Sequence, residues 1–209
     1  MKKLLLLLLF ITGTLYAQPP IAQPNDLIVC DGNGDGFEAF DLTTNEAQTL
    51  NGLNPTLYDV RYFNTLTNAQ NNTAAIVSEM AYTNSSNPQT IFVRVEEISS
   101  GLYSTTSFDL IVNVLPTVSI TTNSPICSGD SASVLFTGTP NATVQYTVDG
   151  FFQQSVTLNS NGLANLSFAN LTVDTTICLV DVSSSTTPAC TQTLTACETI
   201  VVNQAPVIV

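Results

Sequence analysis

The chain has 209 residues, 44% of them hydrophobic and only 10% charged, with a formal net charge of −12 at pH 7. It holds no His and no Trp, which removes the usual general base and the commonest metal ligand and excludes Ser–His–Asp and Cys–His catalysis within it. The acidic balance excludes recognition of nucleic acid phosphates or anionic lipid, since both need Lys or Arg.

The first residues decide the compartment. Lys2 and Lys3 form a short positive region, Leu4 to Ile11 is an unbroken apolar run, Thr12 to Tyr16 relaxes it, and Ala17 is a small residue placed for cleavage before Gln18. This is the plan of a secretory signal peptide over residues 1–17. The run is too short for a permanent membrane span, and no Cys lies close enough behind it for a lipid anchor. Removing the signal leaves Arg61 and Arg94 against sixteen acidic residues, a net charge of about −14. The mature chain is expected to be secreted or on the outer cell surface, and not membrane-spanning.

Thr, Ser, Asn and Val dominate the mature chain, a composition of strands and turns that predicts an all-β fold. In chain order, Thr43 to Glu46 fits a capping box leading into a helical turn at Ala47 to Leu50. Tyr58, Val60 and Tyr62 alternate as a strand, Thr67 to Gln70 is a second helical-turn candidate, and Ile91, Val93 and Val95 alternate again. Ser99-Ser100-Gly101 reads as a hairpin before the strand carrying Phe108, Leu110, Val112 and Val114. The second half repeats the habit at Val134 and Phe136, at Val144, Tyr146 and Val148, at Val156 and Leu158, and at Leu166 and Phe168. Asp149-Gly150 is the stronger hairpin signal, because both residues tolerate the positive φ of a primed turn.

Val112-Asn113-Val114-Leu115-Pro116-Thr117-Val118 is echoed by Val202-Asn203-Gln204-Ala205-Pro206-Val207-Ile208. Each is a closing strand, a short link, a Pro that cannot join a sheet ladder, and a new strand. The echo sets modules at 18–115 and 117–204, with 205–209 opening a further linker or module. Each module has roughly the 100 residues of an immunoglobulin-type sandwich.

The sharpest motif is Asp31-x-Asn33-x-Asp35-Gly36. Alternating oxygen side chains in a tight loop converge on a hard cation, which predicts calcium held by Asp31, Asn33, Asp35, the Phe37 carbonyl and Asp41. Glu38 is a spare carboxylate, and Leu42 stands where an EF-hand would place its Glu. The same residues also form a metal-free Asx turn.

Several segments resemble repeats of very large surface proteins of gliding bacteria, which carry gliding-motility-associated or type IX sorting domains at their C-termini. In the first module these are Val29-Cys30-Asp31-Gly32-Asn33-Gly34-Asp35-Gly36-Phe37, Phe40-Asp41-Leu42, Tyr82-Thr83-Asn84, Asn87-Pro88-Gln89-Thr90-Ile91-Phe92-Val93-Arg94-Val95-Glu96 and Phe108-Asp109-Leu110. In the second they are Ile126-Cys127-Ser128-Gly129, Gly138-Thr139-Pro140-Asn141-Ala142-Thr143-Val144 and Cys190-Thr191-Gln192-Thr193-Leu194. The resemblance implies two tandem immunoglobulin-like sandwiches, the second immunoglobulin-like or PKD-like. It specifies module type and not ligand.

The chain departs from the pattern where Leu102 stands at the position of a second Cys that would pair with Cys30. Five cysteines in an exported chain point to disulfides with one thiol left over. The four in the second module allow three connectivities. The resemblance favours Cys127–Cys190, Cys178–Cys197 fits a cross-strand link in the last hairpin, and Cys30 is then a small buried thiol.

Arg61 and Arg94 are expected on polar strand faces, in cross-strand ion pairs with Asp59 or Glu96. One ring of Phe151-Phe152 is expected in the sandwich and the other over a hairpin edge. Asn84 and Asn141 open idle N-x-S/T triplets, and Asp130-Ser131-Ala132 and Asp174-Thr175-Thr176 resemble an O-glycosylation sequon of such bacteria. The functional expectation is a non-catalytic adhesive arm or structural spacer that meets a glycan or protein surface ligand. The alternative is a carbohydrate-binding accessory module of a longer secreted hydrolase.

Overall fold

A computed structural model describes residues 17–204; the expected signal segment up to Tyr16 and the expected further linker at 205–209 lie outside the described residues. The strands are β1 (Leu27–Cys30), β2 (Ala39–Phe40), β3 (Tyr58–Phe63), β4 (Tyr82–Thr83), β5 (Gln89–Glu97), β6 (Tyr103–Asn113), β7 (Val118–Thr122), β8 (Ile126–Cys127), β9 (Ala132–Gly138), β10 (Thr143–Val148), β11 (Phe151–Thr157), β12 (Leu163–Phe168), β13 (Thr175–Ser183), β14 (Thr191–Thr193), β15 (Cys197–Ile200) and β16 (Val202–Asn203). Two short helices, α1 (Glu46–Leu50) and α2 (Leu66–Asn71), fall in the first half. The chain is all-β, as its composition predicts.

Two compact units divide it. Among the described residues, one holds 17–27, Ala39–Asn84 and Pro88–Leu110. The other holds Ile28–Glu38, Ser85–Asn87 and 111–204. The acidic loop after β1 and a three-residue segment before β5 count with the later unit.

The first unit is built on β3, β5 and most of β6, consecutive neighbours in the sheet ordered β1-β6-β5-β3, with a separate β2–β4 ribbon. Alternation along β5 puts Ile91, Val93 and Val95 in the core, on the same sheet face as Phe108 and Leu110 of β6 and Tyr62 of β3. Leu42, Leu50 and Ala69 from the helical segments are also buried. The predicted turns form, with caps of their own. Asp41, not Thr43, caps the turn at Leu42–Asn45, its side chain accepting from the Thr43 amide. Thr65 caps α2 through the Asn68 amide. Gly101 takes a φ of 71° in the β5–β6 hairpin.

In the second unit one sheet runs β11-β10-β13-β14, with β15 also on β13, and the other runs β12-β9-β7. Their inner faces share a core of Val134, Phe136, Val144, Tyr146, Ile177 and Leu179, with the Phe136 and Tyr146 rings 5.3 Å apart. This two-sheet strand order is that of an immunoglobulin-like sandwich with an added edge strand. Asp149 and Gly150, at φ 51° and 73°, make the β10–β11 hairpin by setting Val148 opposite Phe151. Phe151 at its tip is 70% exposed.

The arginine expectation needs correction. Arg61 lies directly opposite Arg94, and Asp59 opposite Glu96, in the β3–β5 ladder. Each arginine therefore pairs along its own strand: Arg61 with Asp59 at 2.7 Å and Arg94 with Glu96 at 2.6 Å. Arg94 is also buried, at 6% exposure, and not on a solvated face.

Candidate functional site

The candidate site is the acidic loop after β1 and the disulfide at its root, both within the second unit. The loop starts where the Asp31 amide donates to the Asn113 carbonyl at 2.8 Å, holding the end of β1 beside the end of β6. Asp31 is 3% exposed. One of its carboxylate oxygens accepts from the amides of Asn33 (3.3 Å) and Gly34 (2.6 Å), and the other from Gly36 at 2.9 Å. Asn33 Oδ1 accepts from the Asp35 amide, and Asp35 Oδ1 accepts from the Phe37 amide at 2.8 Å. Asn33 Nδ2 donates to Asp35 Oδ2 at 2.9 Å. Glu38 accepts from the Gly32 amide. Gly34 and Gly36 both sit at φ 80°, which only glycine adopts at low cost.

These contacts set the electrostatics. Burial acts to raise the Asp31 carboxyl, but the amides of Gly34, Gly36, Asn33 and Asp35 outweigh it and hold it below the usual carboxylate range. Successive Asx turns thus neutralise the loop with backbone N–H dipoles. The structure brings Asp31, Asn33 and Asp35 together, with Phe37 next to them at the surface. Asp41 stands in the other unit, where its carboxylate is committed to the Thr43 amide and hydroxyl. Among the described residues no group of three or more His, Cys, Asp or Glu side chains is arranged to hold a metal ion.

The cysteine pairing overturns one expectation. Cys190 is bonded to Cys30, not to Cys127, with a Cα–Cα distance of 5.6 Å. Cys127, at the end of β8, is free and exposed. Cys190 is fully buried, and its amide and carbonyl are both tied to Ser184. Cys178 of β13 faces Cys197 of β15 in register, and the two are bonded. The count did not signal the long bridge: with five cysteines, any one of them could be the thiol left over. Asp31 and Asn33 line a cavity of about 300 Å³ together with Val114, Leu115, Thr117 and Gln192, so the loop borders the Pro116 link.

No helix among the described residues is long and apolar enough to cross a membrane. Residues 26–116 match the model of a family described as the Flavobacterium inter-domain disulphide bond domain. The comparison with curated proteins returned no match. Among solved structures, extracellular domains 3–5 of Drosophila OTK share 11% identity over 87% of this chain and 60% of that one, with a TM-score of 0.46. The I-band fragment I67–I69 of titin shares 14% identity over 87% and 63%, with a TM-score of 0.42. The chain spans less than two thirds of either structure.

Proposed function

We propose that this chain is an exported, non-catalytic part of a bacterial surface protein, serving as an adhesive arm or structural spacer of the kind found in gliding bacteria. The observation that carries the reading is the disulfide between Cys30 and Cys190, which closes the chain covalently over a sequence separation of 160 residues. Disulfides persist in oxidising compartments outside the cytoplasm, which agrees with the signal pattern ending at Ala17. The similarity of residues 26–116 to a family named for an inter-domain disulphide supports the same reading. A glycan or protein on a neighbouring surface is the ligand class such an arm would meet.

Cys127 supplies the test. In intact cells of the native host a membrane-impermeant maleimide should label it. Labelling only after lysis would overturn export, and a protein found free in the medium would leave the spacer reading without its surface.

Calcium at Asp31, Asn33, Asp35 and the Phe37 carbonyl is a separate proposal, resting on side-chain spacing alone. The carboxylates already accept amides, so an ion would have to use their remaining lone pairs. A rise in melting temperature with millimolar calcium that Asp35→Ala abolishes would support it. No shift would leave the loop a metal-free Asx turn.

A further inference from the structure

Under tension a folded chain lengthens by unfolding only those residues that lie on the shortest covalent path between the points of pull. A disulfide moves that path. Here it runs from the N-terminal side to Cys30, crosses to Cys190 and leaves toward the C-terminus, skipping everything between. The skipped stretch contains nearly the whole core. Among the described residues, every buried hydrophobic side chain except those of Cys190, Ile200 and Val202 lies within it. The stretches left on the path are short and pinned. Before Cys30, the Pro19 carbonyl accepts from the Ser104 hydroxyl and the Ala22 amide donates to Thr49. After Cys190, β14 and β15 pair with β13, and β16 with β8.

We propose that the chain is a strain-limited tether: load applied along its length is carried through the Cys30–Cys190 bond, and the sandwich core is excluded from the load path. This deepens the reading of the chain as a surface arm. A spacer that transmits force to an anchor keeps its length only if its modules do not unravel, and a covalent bypass ensures that whatever the stability of the core. The route also serves a pull applied anywhere in the first half, because the backbone from there back to Cys30 reaches Cys190 without passing residues 117–189. The second sandwich is shielded in either case. Cys178–Cys197 ties β13 to the exit segment, so the last strands before the C-terminus are anchored to the shielded core.

Single-molecule force spectroscopy on residues 18–209, with handles at the two ends, tests this on the purified chain. Oxidised protein should yield only the short extension of its terminal stretches. Reducing the same molecule under load should add roughly 540 Å of contour length, from the 160-residue separation at about 3.4 Å per residue. The Cys30→Ser variant, with its second bridge intact, should lengthen nearly as much without reductant. In situ reduction of the wild type gives the answer even where that variant does not fold. Release of the full length by oxidised protein would overturn the proposal. The outcome depends only on the purified molecule, so it is separable from the cell-labelling test of surface exposure.

Discussion

Cys30 and Cys190 are bonded at a sequence separation of 160 residues, while Cys178 and Cys197 are bonded at a separation of 19. Chain-entropy arithmetic makes the longer closure the more stabilising, at about 5 kcal/mol against about 3 kcal/mol. Replacing Cys30 and Cys190 together with Ala should therefore lower the denaturation midpoint more than replacing Cys178 and Cys197. Urea titrations of the two double variants without reductant give the comparison. The reverse order would mean that the long bridge adds little to the unfolded-state constraint.

Cys127 should be the one thiol that iodoacetamide modifies in the native, unreduced protein, because it is exposed and unbonded. Peptide mapping of a non-reduced digest checks both halves of the assignment. A Cys127–Cys190 cross-link in that map would restore the pairing that the resemblance implied.

What the sequence made legible was local. Period-2 alternation located β5 and β10, and Asp149-Gly150 marked a hairpin that forms with both residues at positive φ. The resemblance, read from short motifs, implied a pairing of Cys127 with Cys190 that the structure does not make. Finding the true partner of Cys190 required knowing that β1 lies next to β6. That neighbour relation, not any nearby residue, carries Cys30 to the end of the sheet where Asn113 leads into the Pro116 link. The burial of Arg94 was hidden for the same reason. A strand's alternation says which residues share a face, but not that α2 will cover what would otherwise be the polar one.

Asp31 predicts a pH dependence. Its carboxyl lies below the ordinary range in the folded chain, so as pH falls the unfolded chain takes up the proton first. Its contribution is fully present above the ordinary carboxylate value of about 3.9 and is lost as pH falls through the lower folded value. Asp31→Asn should lower the melting temperature at pH 7, and the gap to wild type should close in strong acid. A gap that stays constant from pH 7 to pH 2 would show that the side chain acts by shape and not by charge.

Tyr62 carries a cost that can be removed. It is 1% exposed, and its hydroxyl finds no hydrogen-bond partner among the described residues. Burial, then the nearby charges of Glu46, Glu79 and Asp41, push its ionisation far upward. A buried unsatisfied hydroxyl costs about 1–3 kcal/mol. Tyr62→Phe keeps the ring and its edge contact with Phe108 and should raise stability by about 1 kcal/mol. Calorimetry decides it, and a loss of stability would mean that the hydroxyl has a partner in solution.

Arg94 should not tolerate Lys. Its Nε and Nη2 both donate to Glu96 Oε2, at 2.8 and 2.6 Å. Its Nη1 donates to the carbonyls of Ala69 and Gln70 at 3.1 and 3.0 Å. These carbonyls belong to the last turns of α2, where a helix leaves its acceptors unpaired and favours a cation. The guanidinium also lies 3.4 Å over the Tyr103 ring, so one planar group ties α2, β5 and β6. An ammonium offers three donors from a single point and no plane to stack, so it cannot meet Glu96, both carbonyls and the ring at once. Arg94→Met should cost about 2–4 kcal/mol through the lost bonds and the partners left unpaired. Arg94→Lys should lose at least half as much although the charge is kept. Adding Glu96→Gln to Arg94→Met should recover part of the loss, since a neutral amide is cheaper to leave half-buried than a lone carboxylate. Urea denaturation of the three variants, followed by tyrosine fluorescence, measures the series. A Lys variant as stable as wild type would show that charge alone holds α2, with no contribution from the fork of the guanidinium.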